Sequence, residues 1–264
     1  MDKIQKIREV LDQTALKAGS YLVENRKHVS VVQHKIREDI VTNIDLESEK
    51  IIIDSLSAAY PDWNIFSEEV GRIDKKSEYT FIIDPVDGTK EYIRGLPLFN
   101  VSIALKHKEE IIAAVVYRPA ETVLYSGVMG LGAFHNGARM TPSKVLTLDK
   151  SFVYTYLPSF ARHPDTFEKS WLALGKIDRS VYRLRSLADE NTMCCWVAQG
   201  GCEAYVNISD APKYWDIAPG ICVAQAASCM VTDRFGKPLD QLHIDSVVIS
   251  NGLIHDELLD IINT

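Results

Sequence analysis

The 264-residue sequence predicts a layered fold of the α/β (α+β) class, and three observations lead to this prediction. Helical periodicity dominates the first 60 residues, short β-rich segments follow up to about residue 126, and strands alternate with helices after residue 150. The β-rich run has the spacing of an antiparallel meander, which argues against a simple doubly wound sheet. We therefore expect packed layers in a single unit of two halves, residues 1–150 and 151–264.

The first half begins with two predicted helices, residues 2–25 and 44–59, whose apolar residues recur at helical spacing. Thr42 and Asp45 fit a capping box at the start of the second helix. Residues between the two helices, from 29 to 40, are predicted to be extended. Short strands are predicted at residues 63–66, 81–83, 101–105, 111–117 and 122–126.

The second half follows a polar, proline-containing segment, residues 136–150, which is the best candidate for the joint between the halves. Further strands are predicted at residues 152–156, 181–184, 204–206 and 247–250. Further helices are predicted at residues 165–174, 190–198, 214–227 and 255–262. We find no internal repeat and no low-complexity tract.

Composition narrows the class of partner. The net charge of −7 argues against binding of a nucleic acid polymer. It does not exclude a small phosphorylated substrate, because metal ions can supply positive charge locally. Five cysteines without C-x-x-C spacing, in apolar stretches, predict buried free thiols in a reducing compartment. No apolar run approaches the roughly 18 residues that span a bilayer, so we expect no membrane partner and a cytoplasmic protein.

The segment Asp84-Pro85-Val86-Asp87-Gly88-Thr89 closes an apolar strand, and Pro85 is expected to stop the strand's hydrogen-bond ladder. Two carboxylates three residues apart on a tight turn, with a carbonyl such as that of Val86, suit a hard cation like Mg²⁺. Gly88 allows close approach of the backbone, and the following N–H groups suit a phosphate at a helix start. The alternative is an ordinary turn with solvated carboxylates.

Other carboxylates follow the same logic. Glu68 and Glu69 end a second predicted strand, so one of them can share a sheet edge with Asp84, although a solvated loop is the alternative. Asp216 lies at the start of an apolar helix, where it either complements the helix dipole or ligates a metal ion. Pro219 suggests that this helix begins close to Asp216.

Several segments together resemble the signature set of the inositol monophosphatase family, whose members are Mg²⁺-dependent phosphatases typically inhibited by Li⁺. The order and spacing of these segments match along essentially the whole chain. They are Asp39-Ile40-Val41-Thr42-Asn43-Ile44-Asp45, Glu68-Glu69, Asp84-Pro85-Val86-Asp87-Gly88-Thr89, Gly132-Ala133-Phe134-His135-Asn136-Gly137 and Trp215-Asp216-Ile217-Ala218-Pro219-Gly220.

The resemblance implies a five-layered α-β-α-β-α sandwich, one catalytic unit, two or three Mg²⁺ ions and, by analogy, a homodimer. Its implied metal ligands are Glu68, Asp84, the Val86 carbonyl, Asp87 and Asp216. Its implied catalytic residues are Glu68 and Thr89, which would orient and activate the attacking water, and Asp45, which would support the Thr89 hydroxyl. The backbone N–H groups of Gly88 and Thr89 would receive the phosphate.

The sequence departs from the family pattern in one turn, residues 185–191, where a Gly-Ser-rich segment is replaced by bulkier and acidic residues. Asp189 and Glu190 in this turn either bind hydroxyl groups of the substrate or stabilise the N-terminus of the next helix. Asp210 lies where the resemblance implies a specificity loop.

Three functions stay open at this point. The first is a Mg²⁺-dependent phosphomonoester hydrolase acting on inositol monophosphate or a similar small polyol or sugar phosphate. The second is a 3′(2′),5′-bisphosphate nucleotidase, because Lys90-Glu91 resembles that branch, although both residues also fit the surface of a short helix. The third is a non-catalytic protein that binds a phosphorylated ligand, suggested by the altered turn.

Overall fold

The structure is a computed structural model that describes residues 3–36, 39–187, 189–208, 212–239 and 244–264. Its helices are α1 (Lys3–Asn25), α2 (Asn43–Ala59), α3 (Thr89–Ile93), α4 (Pro164–Ser180), α5 (Glu190–Ala198), α6 (Tyr214–Ala226) and α7 (His255–Asn263). Its strands are β1 (Val31–Ile36), β2 (Asp39–Thr42), β3 (Asn64–Ser67), β4 (Gly71–Ile73), β5 (Tyr79–Asp87), β6 (Asn100–His107), β7 (Glu110–Arg118), β8 (Val123–Val128), β9 (Gly132–His135), β10 (Ala138–Arg139), β11 (Phe152–Thr155), β12 (Arg183–Arg185), β13 (Ala204–Asn207), β14 (Met230–Thr232) and β15 (Val247–Ser250).

Two sheets dominate the molecule. The larger has eight strands in the order β10-β9-β8-β7-β6-β5-β3-β4, and its centre is the antiparallel meander that the sequence predicts. The smaller has five strands in the order β12-β11-β13-β15-β14. Strands β1 and β2 form a separate antiparallel pair.

Helices cover both faces of each sheet, and the predicted α-β-α-β-α sandwich is confirmed. Helices α1 and α2 pack on one face of the eight-stranded sheet, and α6, paired with α5, packs on its other face. Helix α5 also contacts the five-stranded sheet, whose far side contacts α4 and α7. Three clusters of buried apolar side chains fill the spaces between these layers. Burial at roughly 25 cal/mol per Å² of apolar surface makes these clusters the main source of stability.

The parallel pairing of β3 with β5 determines where the acidic residues lie. Ser67 pairs with Ile83 across the two strands, so Glu68 and Asp84 leave the sheet side by side at the same edge, as the sequence predicts. The expectation that Pro85 ends the ladder is wrong in part. The ladder with β6 is interrupted after Asp84 and resumes at Asp87, because proline removes one donor without preventing an extended backbone.

Most predicted elements are present, and the capping box of Thr42 and Asp45 is confirmed. Helix α4 is longer than predicted, and four strands were not predicted: β4, β9, β10 and β14. These strands have two to four residues, too few for a periodic apolar pattern to stand out.

Helix α6 begins at Tyr214, two residues before Asp216, so Pro219 lies one turn inside it. The helix loses only the hydrogen bond that Pro219 would donate to the Trp215 carbonyl. Asp216 is half-buried and therefore not fully enclosed by the protein.

All five cysteines are buried free thiols, as predicted. Within the described ranges, no helix combines the length and apolar character needed to cross a bilayer.

Candidate active site

A cleft of about 310 Å³ lies at the edge where β3 and β5 end, facing the start of α6. Three kinds of group line it: carboxylates, backbone of the turn after β5, and cationic side chains. The lining residues are Ile40, Glu68, Asp84, Val86, Asp87, Gly88, Thr89, Lys90, Glu91, Tyr156, Arg162, Glu190, Pro212, Lys213 and Asp216.

The end of β5 contributes two carboxylates to the cleft. Asp84 is 2% exposed, and its side chain accepts a hydrogen bond of 3.0 Å from the Val86 N–H. The Oδ2 atom of Asp87 accepts hydrogen bonds from the amides of Asn100 at 2.8 Å and Asn191 at 3.3 Å. These contacts hold one oxygen of each carboxylate, so that neither side chain rotates freely.

The turn after Asp87 needs glycine. Gly88 has φ +88°, and a Cβ atom at this position would clash with the carbonyl oxygen of Leu98. The turn leads directly into α3 at Thr89. The Thr89 Oγ1 atom lies 2.9 Å from Asp45 Oδ1 and 2.9 Å from the Val86 carbonyl oxygen, and it donates its single proton to one of them at a time.

Asp45 lies behind Thr89 and is 2% exposed. Its Oδ2 atom accepts hydrogen bonds from the backbone N–H and the hydroxyl of Thr42, so the same carboxylate caps α2 and contacts the Thr89 hydroxyl. Burial raises the pKa of Asp45, while the hydrogen bonds from Thr42 and Thr89 oppose that rise. The capping and functional interpretations of Asp45 are therefore compatible.

Glu68 reaches the cleft from the end of β3. Its backbone N–H donates to the Ile83 carbonyl at 3.2 Å, which extends the β3–β5 pairing by one step. Its carboxylate forms an ion pair with Lys213 Nζ at 3.0 Å. Lys213 is the residue immediately before α6, so this ion pair joins the sheet edge to the helix that carries Asp216.

The carboxylates affect one another strongly. Burial, followed by the negative charges of Glu68, Asp87 and Asp216, raises the pKa of Asp84 well above its usual range. Burial and the neighbouring Asp189 and Asp216 likewise raise the pKa of Asp87, against the hydrogen bond from Asn100. Like charges at short range disfavour one another's ionisation, and a cation between them reverses that effect.

The donor set therefore fits hard divalent cations, since it consists of carboxylates and a carbonyl. Among the described residues, no three His, Cys, Asp or Glu side chains are spaced closely enough to ligate one ion as they stand. The Glu68 carboxylate is paired with Lys213 Nζ at 3.0 Å, and the negative charges near Asp84 raise the pKa of that carboxyl group.

Most residues singled out from the sequence lie together. Glu68, Asp84, Val86, Asp87, Gly88, Thr89 and Asp216 line the cleft. Asp45 contacts it through Thr89. Asp189 is 3% exposed and caps α5 by accepting a hydrogen bond of 2.8 Å from the Thr192 N–H, which favours the helix-stabilising alternative over a contact with substrate. Asp210 lies outside the described residues.

Several cleft residues were not predicted as site residues, among them Tyr156, Arg162 and Lys213. Tyr156 and Arg162 follow β11, and no motif marks them. Glu190 is 5% exposed and accepts hydrogen bonds from the Tyr205 hydroxyl and, at 3.0 Å, from the Asn207 amide. The sequence leaves two interpretations of Glu190, a contact with substrate hydroxyl groups or an acid that stabilises the N-terminus of α5.

A larger cleft of about 610 Å³ lies over the face of β3 and β5 beside Tyr214. Its charged side chains include the ion pair of Lys106 with Glu109 at 3.1 Å. Among the described residues, its lining includes none of those that the sequence singles out, so size alone does not identify the functional site.

A family model described as the inositol monophosphatase family matches residues 3–264. The chain belongs to this family, whose members are metal-dependent phosphatases acting on small phosphorylated substrates.

Similar proteins agree with that assignment. The chain is 33% identical over 248 residues to a protein of Thermotoga maritima named fructose-1,6-bisphosphatase/inositol-1-monophosphatase, covering 94% of this chain and 92% of the relative. It is 31% identical over 243 residues to the Nus factor SuhB of Vibrio cholerae, covering 90% and 89%. The crystal structure of the extragenic suppressor protein SuhB of Bartonella henselae superimposes with a TM-score of 0.91 at 29% identity, covering 98% of this chain and 99% of that one.

Proposed function

We propose that this protein is a phosphomonoester hydrolase, dependent on Mg²⁺, that acts on inositol monophosphate or a similar small polyol or sugar phosphate. The observation that carries the proposal is the gathering of Glu68, Asp84, Asp87 and Asp216 around one cleft beside the Gly88-Thr89 turn. Glu68, Asp84, the Val86 carbonyl, Asp87 and Asp216 would hold two or three Mg²⁺ ions.

In this proposal, the side chains and backbone groups that line the cleft have separate chemical roles. When bound, divalent cations supply a water of lowered pKa and positive charge beside the phosphoryl oxygens. Thr89 donates its hydroxyl proton to Asp45 and accepts a hydrogen bond from the attacking water. Glu68 accepts the other hydrogen of that water and so fixes its direction of attack. The N–H groups of Gly88 and Thr89 receive the phosphate.

The leaving group occupies the remaining space of the cleft, whose lining includes Glu190 and Arg162. A cleft of about 310 Å³ that is lined by both acidic and basic side chains suits a small substrate rich in hydroxyl groups. A nucleic acid polymer would be repelled by the protein's net charge of −7.

The nucleotidase stays as a second candidate because Lys90 and Glu91 line the cleft and are not simply solvated on α3. With Arg162 and Lys213, Lys90 brings positive charge to the opening, which would favour a substrate with a second phosphate.

A substrate panel tests the proposal. Purified protein is assayed for phosphate release from inositol 1-phosphate, fructose 1,6-bisphosphate and adenosine 3′,5′-bisphosphate, in Mg²⁺, in excess chelator and in Mg²⁺ with Li⁺. We expect release from inositol 1-phosphate in Mg²⁺, none in chelator, and inhibition by Li⁺. Asp87→Asn, which weakens one proposed ligand at the end of β5, is the inactive control.

Other outcomes have clear meanings. Turnover of adenosine 3′,5′-bisphosphate alone would reverse the order of the two candidates. Tight binding of a phosphorylated ligand without phosphate release would favour a non-catalytic role. A homodimer and a cytoplasmic location stay predictions, and sedimentation of the purified protein checks the first.

A further inference from the structure

Helix α2 packs against the sheet edge at which Glu68 and Asp84 lie. Asp45, Ser48 and Glu49 lie at successive positions on its buried face, and each is at most 2% exposed. Asp45 contacts the Thr89 hydroxyl, and Ser48 donates a hydrogen bond of 2.9 Å to the Pro85 carbonyl. Each residue therefore contacts a different part of the cleft wall.

Glu49 makes the most specific of these contacts. Its Oε1 atom accepts hydrogen bonds from the Ser67 hydroxyl and from the backbone N–H groups of Glu69 and Val70, both at 3.1 Å. The three donors to this oxygen belong to residues on both sides of Glu68. The N–H of Glu68 itself donates to the Ile83 carbonyl on β5. Glu49 therefore holds the chain on both sides of Glu68.

A buried carboxylate is costly unless hydrogen bonds stabilise it, and these three charge-assisted bonds do so. Stability alone does not explain why all three donors flank one cleft residue. We propose that Glu49 is a positioning residue that sets the orientation of Glu68 for metal binding. This inference rests on the ligand role of Glu68 in the proposed function.

Substitutions of Glu49 separate the effect of its charge from the effect of its side-chain length. Glu49→Gln keeps the length and one acceptor oxygen but removes the charge. Glu49→Asp keeps the charge but shortens the side chain by one methylene, so that one oxygen no longer reaches all three donors. Glu47→Gln and Glu47→Asp are the matched controls, because Glu47 lies on the same helix and is exposed.

Mg²⁺ binding is measured by titration calorimetry on substrate-free protein. Residues that orient metal ligands typically change metal affinity about 10- to 100-fold when replaced. We expect Glu49→Asp to weaken Mg²⁺ binding about tenfold or more, Glu49→Gln to stay within about threefold of the wild type, and both Glu47 variants to bind normally. Circular dichroism and the melting temperature report whether each variant is folded.

Two results would overturn the inference: wild-type Mg²⁺ affinity in folded Glu49→Asp, or a larger loss in Glu49→Gln than in Glu49→Asp. If Glu49→Asp does not fold, Ser67→Ala removes one donor, and unchanged Mg²⁺ affinity in that variant is equally decisive. Glu68→Gln separates the two proposals. Normal Mg²⁺ binding by Glu68→Gln contradicts the proposed site itself, whereas loss there with no loss in Glu49→Asp contradicts only the role of Glu49.

Discussion

At the scale of single residues, the hydroxyl of Thr89 links two polar groups of the cleft. It lies between the Asp45 carboxylate and the Val86 carbonyl, both at 2.9 Å. A hydroxyl can donate one hydrogen bond and accept two, so Thr89 can pass a proton from water toward Asp45 while its backbone stays in α3. Asp45 keeps its own position through Thr42.

Replacement of Thr89 tests that role. We expect Thr89→Ala to lower kcat about 10²- to 10⁴-fold, the usual contribution of a positioned acid or base, with little change in the half-saturating Mg²⁺ concentration. Thr89→Ser retains a hydroxyl and should retain most of the activity. Steady-state kinetics over a range of Mg²⁺ concentrations provide both numbers. An equal loss of kcat and metal affinity in Thr89→Ala would argue against water positioning.

At the scale of elements, the contact of α5 with α6 brings Asp216 to the sheet edge. The backbone N–H of Gly220 donates to the Asn191 side chain at 2.8 Å, and the same Asn191 contacts Asp87. A Cβ atom on Gly220 would lie 2.8 Å from Cys194 Cβ and 3.0 Å from Asn191 Cα. The two helices therefore approach closely enough that only glycine fits at this contact.

Glycine-to-alanine substitutions in two helices measure this packing. Gly220→Ala should lower the free energy of unfolding by about 1–3 kcal/mol, because the added methyl group overpacks the contact. Gly175→Ala in α4 is the matched control, since its Cβ atom would meet nothing nearer than 3.9 Å. It should raise the free energy of unfolding by about 0.5–1 kcal/mol through helix propensity. Urea denaturation measures both, and equal effects would contradict the packing argument.

At the scale of the whole molecule, the cleft joins two layers of the sandwich. Glu68, Asp84 and Asp87 come from the eight-stranded sheet, and Asp216 comes from the helical layer beneath it. Without a cation, their mutual repulsion opposes the contact between these layers.

Mg²⁺ should therefore stabilise the entire fold. A ligand at 100 times its dissociation constant adds about 2.7 kcal/mol to the free energy of unfolding, which raises the melting temperature by several degrees. Thermal denaturation with Mg²⁺ and with chelator measures the shift. We expect Asp216→Asn to reduce it strongly and Asp54→Asn, an exposed acid on α2, to leave it unchanged. An unaltered shift in Asp216→Asn would contradict a site shared between layers.

Local patterns in the sequence were enough to predict much of this fold. The capping box of Thr42 and Asp45 depends on neighbours in the chain, and so does the run of apolar residues that forms β5. The position of Glu68 beside Asp84 followed from one further rule, that parallel strands end at the same edge. The sequence also contains a signal for the burial of Glu49, since this residue shares the helical face of the buried Ile52 and Leu56.

The amino-acid sequence by itself determined the fold class, the family and the order of acidic segments, because these depend on periodicity and spacing within short stretches. Only the tertiary structure decided that Lys213 pairs with Glu68 and that Arg162 and Glu190 reach the cleft. Those contacts join residues from separate layers, and their distances depend on how closely helices and sheets pack, which no local pattern encodes.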